Sequence, residues 1–157
     1  MNEGNKKANI REEIDRAEEA FRAANLLFDN GFVRDAISKV YYSLLYYIRA
    51  LLLTEGLEPK SHEGALRLFG LHFVKPGAFE ARDSHIFSKL MKFREEADYN
   101  PSYSFSLEDF TEFKSEVEGV IQKITNDLSA TYCRCREVIF PFIYIHIYTH
   151  NTHTEFF

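Results

Sequence analysis

The chain has 157 residues, of which 45% are apolar and 27% charged, and its formal net charge is −5. This length fits one domain with a substantial core rather than two, and the composition is that of an ordinary globular protein. The negative net charge argues against a protein that binds nucleic acid mainly through its overall electrostatic potential. A local basic patch is compatible with this net charge.

Targeting signals and cysteine positions further limit the class of protein to which the chain can belong. The chain begins with no secretory signal, and no apolar run approaches the roughly 20 residues that cross a bilayer. We therefore expect a soluble, cytoplasmic protein without a membrane partner. Both cysteines, Cys133 and Cys135, lie late in the chain. Their position excludes a disulfide framework in residues 1–130 and does not suit a four-ligand zinc site.

Apolar residues recur at helical spacing through most of the chain, and no alternating strand pattern occurs before residue 130. Ser61 is placed as the N-cap of a short third helix, and Ser106 with Asp109 resembles a capping box before the fifth. These signals predict an all-α, up-and-down bundle of four long helices plus one short helix. The predicted helices cover about residues 10–29, 32–54, 62–73, 80–98 and 107–128.

The predicted second helix is unusually apolar. Between Val40 and Leu53 only Ser43 and Arg49 interrupt a run of apolar and aromatic residues. A helix that is apolar nearly all round must be covered on nearly all sides. This predicts neighbouring helices on one side and a second subunit on another, in a homodimer formed through the second and fourth helices.

The character of the chain changes near residue 130. Residues 131–157 hold both cysteines, three of the six histidines and a stretch rich in β-branched and aromatic types. We therefore divide the chain into a helical domain, 1–130, and an atypical aromatic and histidine-rich tail, 131–157. The tail is interpreted as poorly ordered or non-native, with a strand-forming or partner-seeking segment as the alternative.

The tail also carries the one histidine spacing that would suit a metal. His146, His150 and His153 would share a face if the segment were helical. Pro141 and the alternating Ile-Tyr-Ile-His-Ile-Tyr run argue against a helix there. We predict neither a metal site nor a cofactor.

The candidate site residues begin at the end of the predicted fourth helix. Arg94 and Asp98 lie one turn apart at the margin of the apolar face, where they can pair. The guanidinium fork of Arg94 suits a phosphate, and Asp98 would hold that fork in place. Tyr99 would act as a hydrogen-bonding group or as an acceptor of modification. The structural alternative is an ordinary surface ion pair.

A second polar group, Lys60, Ser61 and His62, lies at the start of the predicted third helix. Charged side chains there would add to the backbone N–H groups that favour anions at a helix start. The alternatives are that Ser61 is only a cap and His62 only a solvated first-turn residue. No Gly-rich phosphate loop, zinc-protease motif or nucleophile elbow occurs in the chain.

Four segments together resemble the HEPN domain superfamily, over about residues 10–128. They are Asp35 to Leu53, Gly56-Leu-Glu-Pro-Lys-Ser-His-Glu-Gly, Phe69-Gly-Leu-His-Phe-Val-Lys-Pro-Gly and Arg94-Glu-Glu-Ala-Asp-Tyr. The last of these looks like the signature of one prokaryotic branch. The resemblance implies a helical bundle that dimerises, often beside a small nucleotidyltransferase with which it forms a toxin and antitoxin pair.

The resemblance also bears on chemistry. Many members of the superfamily are metal-independent endoribonucleases that use an arginine and, a few residues later, a histidine. Arg94 matches the arginine, but Asp98 and Tyr99 occupy the histidine position. An ionised carboxylate is a poor proton carrier near neutral pH, which weighs against ribonuclease activity, and His62 is the candidate substitute. In related pairs the partner transfers a nucleotide onto a tyrosine, and Tyr99 is the matching position.

Three hypotheses follow. The first is a HEPN protein that acts with a nucleotidyltransferase partner as a toxin-antitoxin-like pair, with a site for phosphate, nucleotide or RNA at Arg94, Asp98 and Tyr99, to which Lys60 and Ser61 contribute. The second is a noncatalytic, dimeric protein-interaction module. The third is a metal-independent endoribonuclease with Arg94, Asp98 and His62 as catalytic residues.

Overall fold

The computed structural model describes residues 3–132, which form five α-helices and one π-helical segment. No strand occurs in this part of the chain, so the prediction of an all-α bundle of four long helices and one short helix is confirmed. The helices are α1, Glu3–Asp29; α2, Val33–Thr54; α3, His62–Phe69; α4, Ala81–Tyr99; and α5, Leu107–Tyr132, with the π-helical segment Gly70–Val74 following α3 directly.

The apolar helix α2 lies at the centre of the bundle. It packs against α1, α3, α4 and α5, and most of its side chains are buried. Tyr42, Tyr46 and Arg49 are among the few that stay partly exposed. The expectation that neighbouring helices cover α2 is confirmed. Because they cover it almost completely within one chain, its apolarity no longer requires a second subunit, and homodimerisation stays a prediction.

The helix caps agree with the sequence signals. The Ser61 hydroxyl oxygen accepts from the backbone N–H of Gly64 at 2.9 Å and so caps α3. The Ser106 hydroxyl oxygen accepts from the N–H of Asp109 at 3.1 Å, and the Asp109 carboxylate accepts from the N–H of Ser106 at 2.7 Å. Both predicted N-termini are therefore confirmed, because caps depend on residues only three positions apart.

Three helix bounds differ from the predicted ones, and one of them is the end of α5, which lies at Tyr132 rather than near residue 128. Helix α1 begins at Glu3 rather than near residue 10, since its first turns are polar and offer no apolar period to read. The predicted third helix instead widens into the π-helical segment, where the N–H of Lys75 donates to the carbonyl of Gly70 at 2.9 Å. In this segment Phe73 is buried, and its ring lies near those of Phe69 and Phe79.

Among the helices described, none combines the length and apolarity that a bilayer span requires. The described residues end at Tyr132. The predictions made for the tail, including the cysteine pair and the histidine spacing, therefore fall almost entirely outside the described residues.

Candidate functional site around Arg94 and His62

The guanidinium of Arg94 forms the centre of a polar cluster on the side of α4 that faces α2 and α3. Its side chain is only 11% exposed. Nη2 donates to Nδ1 of His62 at 3.0 Å, and Nη1 lies 3.6 Å from Oδ2 of Asp98. Nε is buried and has no hydrogen-bond partner among the described residues. This is not the exposed surface pair that the sequence left open as an alternative.

His62 reaches Arg94 from the first position of α3, where the Ser61 cap fixes the start of the helix. Arginine can only donate, so Nδ1 of His62 accepts in this contact and the proton of the neutral imidazole is on Nε2. Burial and the positive charge of Arg94 both lower the pKa of His62 from its ordinary value of 6.5. The imidazole is therefore neutral at pH 7, and Arg94 occupies its lone pair.

Asp98 connects α4 to α2. Its Oδ1 accepts from the hydroxyl of Ser38 at 2.6 Å, while its Oδ2 faces Arg94. Ser38 is buried on α2, 60 residues away in the chain. The carboxylate is thereby held between one hydroxyl and one cation, as expected for a residue that orients the guanidinium.

Two tyrosines of α2 complete the cluster. The guanidinium carbon of Arg94 lies 5.5 Å from the ring centroid of Tyr41 and 5.7 Å from that of Tyr42, within the range of cation–π attraction. The Tyr41 hydroxyl oxygen is 2.9 Å from Nδ1 of His62. Burial raises the pKa of Tyr41 far above its ordinary value, although Arg94 opposes the shift, so the hydroxyl keeps its proton.

The remaining predicted site residues lie around this cluster rather than within it. Tyr99 is 76% exposed at the last position of α4, and Lys60 is exposed in the loop before α3. The Ser61 oxygen is used as a helix cap, which leaves its own hydrogen available to donate. The structure thus brings Arg94, Asp98 and His62 together and leaves Lys60, Ser61 and Tyr99 at the margin.

Tyr41 and Tyr42 belong to the apolar and aromatic run of the second helix, for which the sequence predicted only packing against neighbouring helices or a second subunit. Their contacts with the site were missed. A signal was present, because Ser38, Tyr41 and Tyr42 have the i, i+3, i+4 spacing of one helical face. What the spacing does not reveal is that this face meets Arg94.

Arg34 was also missed. Its guanidinium donates to the carbonyl oxygens of Ala97 at 2.8 Å and of Asn100 at 2.9 Å, and further to those of Glu96, Pro101 and Tyr103. These carbonyls belong to the last turn of α4 and to the loop after it, where helix ends leave acceptors unpaired. Arg34 therefore fixes the turn that carries Asp98 and Tyr99.

Comparisons with known proteins give the family. The family model described as the HEPN domain matches residues 10–128. A protein of Methanocaldococcus jannaschii named "Putative toxin" is 44% identical over 94 residues, which are 57% of this chain and 70% of that protein.

Two further relatives carry the name UPF0332 protein. The one from Thermotoga maritima is 32% identical over 116 residues, covering 72% of this chain and 88% of the relative. The one from Pyrococcus horikoshii is 45% identical over 71 residues, covering 45% of this chain and half of the relative. The chain belongs to the HEPN domain family.

Proposed function

We propose that the chain is a toxin-like HEPN protein that binds a phosphate group of RNA or of a nucleotide at Arg94 and His62, and that a nucleotidyltransferase partner controls it. The name of the M. jannaschii relative supports the toxin-like class. The observation that carries the site is the buried guanidinium of Arg94, which lies 3.0 Å from an imidazole and keeps one buried donor unpaired. An unpaired buried donor is costly and calls for an explanation, and a functional role of Arg94 is the one proposed here.

The test of binding uses Arg94→Ala, with Arg82→Ala as the matched control because Arg82 is an exposed arginine on the same helix. Affinity for a fluorescent single-stranded RNA is measured by anisotropy in EDTA. We expect Arg94→Ala to weaken binding about tenfold or more and Arg82→Ala to leave it nearly unchanged. Circular dichroism and thermal melting verify the fold, and Arg94→Lys separates loss of the planar fork from loss of charge. Full binding by a folded Arg94→Ala protein would refute the site.

Metal-independent RNA cleavage is a second candidate, favoured by one observation. The motif after Arg94 lacks a histidine, yet His62 supplies an imidazole to the same guanidinium from α3. A phosphate that takes the Nη2 donor would leave Nδ1 of His62 in contact with the Tyr41 hydroxyl alone. A ribose 2′-hydroxyl that displaces this contact can give its proton to Nδ1, which is unprotonated at neutral pH. The 2′-oxygen then bonds to phosphorus, the bond to the 5′-oxygen breaks, and the leaving oxygen takes a proton from water.

This second candidate has its own readout. End-labelled RNA is incubated with the protein in EDTA, and the products are examined for a cyclic phosphate. We expect His62→Gln to abolish cleavage while weakening RNA binding far less than Arg94→Ala does. Cleavage that survives this substitution would refute the role of His62, and an Arg94-dependent binder that never cleaves would refute the ribonuclease.

The proposed partner acts on Tyr99. Tyr99 is 76% exposed at the margin of the site, which leaves its hydroxyl open to a modifying enzyme. We expect co-expression with a nucleotidyltransferase encoded next to the gene to add a nucleotide mass to the intact protein. Tyr99→Phe should abolish the addition, whereas Tyr103→Phe, a change at a nearby exposed tyrosine, should not. Addition that persists in Tyr99→Phe would contradict the assignment.

A further inference from the structure

Two hydrogen-bond donors meet at one acceptor in the cluster around Arg94. Nη2 of Arg94 lies 3.0 Å from Nδ1 of His62, and the hydroxyl oxygen of Tyr41 lies 2.9 Å from the same nitrogen. Because a guanidinium can only donate, Nδ1 carries no proton and offers a single lone pair. The N–H of Arg94 and the O–H of Tyr41 therefore compete for this lone pair.

The hydroxyl of Tyr41 is held in this competition by its surroundings. Tyr41 is fully buried on α2, and His62 is the only hydrogen-bond partner of its hydroxyl within the part of the chain that the structure describes. Its ring stacks with that of Phe87, with centroids 5.9 Å apart, and the guanidinium carbon of Arg94 lies 5.5 Å from its centroid. Burial raises the pKa of Tyr41, so the hydroxyl stays protonated and needs an acceptor.

An anion bound at Arg94 would end this competition. A phosphate oxygen that accepts from Nη2 takes one donor away from Nδ1 of His62, and the Tyr41 hydroxyl is already within hydrogen-bond distance of that nitrogen. If the hydroxyl were missing, Nδ1 would lie close to an anion without any donor. An imidazole in that position takes up a proton more readily, because a nearby negative charge favours the imidazolium.

The charges around His62 add to this tendency. Four charged side chains act on the imidazole: Arg94 and Glu95 of α4, Glu63 of α3 and Arg49 of α2. Burial lowers the pKa of His62 most, the arginines lower it further and the glutamates raise it. The ring of Tyr42 also faces the imidazole, but burial raises the pKa of this tyrosine and keeps it neutral. A phosphate that offsets the charge of Arg94 would therefore shift the balance towards protonation, which an uncharged donor at Nδ1 opposes.

We propose that Tyr41 is a positioning residue that keeps the imidazole of His62 neutral, with its proton on Nε2, while an anion occupies Arg94. The inference rests on the proposed function, because it requires a phosphate at Arg94. The donor to Nδ1 changes from Arg94 in the free site to Tyr41 in the occupied site, and the proton on Nε2 stays in place. The ring therefore enters the occupied state in the form that RNA cleavage would need, with Nδ1 free of a proton.

Nitrogen-15 NMR of the full chain tests the role of Tyr41. The histidine rings are labelled, and spectra are recorded between pH 8 and pH 5 for the free protein and with saturating inorganic phosphate or a short 2′-O-methyl RNA, which cannot be cleaved. His62→Gln identifies the signals of His62. The wild type should show a neutral ring with its proton on Nε2 at pH 7 in all three states.

The variant Tyr41→Phe should differ from the wild type only when the site is occupied. Without a ligand, Arg94 still donates to Nδ1, so the pKa of His62 should stay close to that of the wild type. With phosphate or RNA bound, this pKa should exceed the wild-type value by about one pH unit, the effect of losing one hydrogen bond to the neutral ring. Tyr47→Phe, at a buried tyrosine of the same helix, should match the wild type in every state. A purely structural effect of Tyr41→Phe would appear in the free protein as well.

Two outcomes in the wild type alone would overturn the inference, whether or not Tyr41→Phe folds. One is a proton on Nδ1 of His62 in the free protein, which would refute the arrangement of two donors. The other is a His62 ring that becomes protonated at pH 7 when phosphate or RNA binds, which would refute the role of Tyr41.

Failure of this inference and failure of the proposed function give different spectra. Phosphate or RNA that binds, with equal pKa values of His62 in Tyr41→Phe and in the wild type, would overturn the role of Tyr41 alone. A higher pKa in Tyr41→Phe with RNA but not with inorganic phosphate would support the inference and identify a strand phosphate as the ligand. If neither probe changed the His62 signals of the wild type, the proposed site at Arg94 would be refuted.

Discussion

The role of each polar side chain here depends on its nearest charged neighbour. Arg94 makes Nδ1 of His62 an acceptor, and burial together with the charge of Arg94 lowers the pKa of the imidazole. Ser38 and Arg94 hold Asp98 in place. Arg94 therefore serves two partners on two different elements. Its substitution removes a phosphate ligand and also releases both partners, which is why the binding test includes a melting control.

The lowered pKa of His62 predicts a pH-dependent stability. The unfolded chain protonates this residue near 6.5, whereas the folded protein does so only at lower pH. Between these values the unfolded state binds more protons, so stability rises with pH across this window. We expect this contribution to be complete above about pH 6.5 and to be lost progressively as the pH falls towards the lower, folded value.

Urea denaturation between pH 8 and pH 5 measures the effect. His62→Gln should show a smaller loss of stability on acidification than the wild type. His85→Gln, at an exposed position of α4, should behave like the wild type. Equal pH dependence in His62→Gln and the wild type would contradict the environment described for the imidazole.

Removing the contact between Ser38 and Asp98 tests whether the polar cluster is a binding site or belongs to a noncatalytic interaction module. In such a module the cluster would only fix helix packing. We expect Ser38→Ala to cost about 1 kcal/mol in the free energy of unfolding, the typical contribution of a hydrogen bond. In a binding site the change should also weaken RNA affinity, because Asp98 no longer holds Arg94 as firmly. Lower stability with unchanged RNA affinity would favour the noncatalytic module.

At the scale of elements, the end of α4 depends on a single arginine of α2. The five carbonyl oxygens that Arg34 contacts belong to the last turn of α4 and the loop that follows. We expect Arg34→Ala to lower the free energy of unfolding by about 2 kcal/mol, because those acceptors lose a charged donor. Arg34→Lys should restore only part of the loss, since an ammonium cannot reproduce the planar fork.

Chemical denaturation measures the free energy of unfolding that Arg34→Ala loses, and hydrogen exchange shows which part of the protein is destabilised. Exchange should become faster in the last turn of α4, around Tyr99, and stay slow in the centre of α2. Arg82→Ala, at the opposite end of α4, is the control. An Arg34→Ala protein as stable as the wild type would show that the last turn of α4 does not need the hydrogen bonds from Arg34.

Most of these elements were predictable because their signals are local. The caps at Ser61 and Ser106 and the apolar period of α5 each depend on residues within a few positions. The first turns of α1 and the π-helical segment were missed. A polar helix start has no period, and the wider turn at Gly70 is a departure that apolar spacing does not encode.

At the scale of the whole molecule, one chain already covers its most apolar helix. The surface of α2 that stays partly exposed includes Tyr42 and Tyr46, whose rings stack with centroids 6.1 Å apart. Arg16 lies over the Tyr46 ring at 4.3 Å. This aromatic strip adjoins Arg94 and supports the proposal that a second copy of the chain docks beside the site.

We expect sedimentation velocity to give twice the mass of the chain. Tyr46→Glu should shift the protein to monomer by placing a charge in a packed interface. Leu71→Glu, at an exposed apolar side chain of the π-helical segment, should leave the mass unchanged. A monomeric wild-type protein would refute the dimer and leave the polar cluster as a site of one chain.

The sequence alone determined the helical class, the caps, the pairing of Arg94 with Asp98 and the candidate residues, because each depends on spacing along one helix or on resemblance to the HEPN motifs. Only the tertiary structure decided that His62 meets Arg94 across 32 residues and that Ser38 meets Asp98 across 60. It also decided that neighbours within one chain cover α2. Such contacts depend on how side-chain faces of separate helices pack together, and no local period specifies that packing.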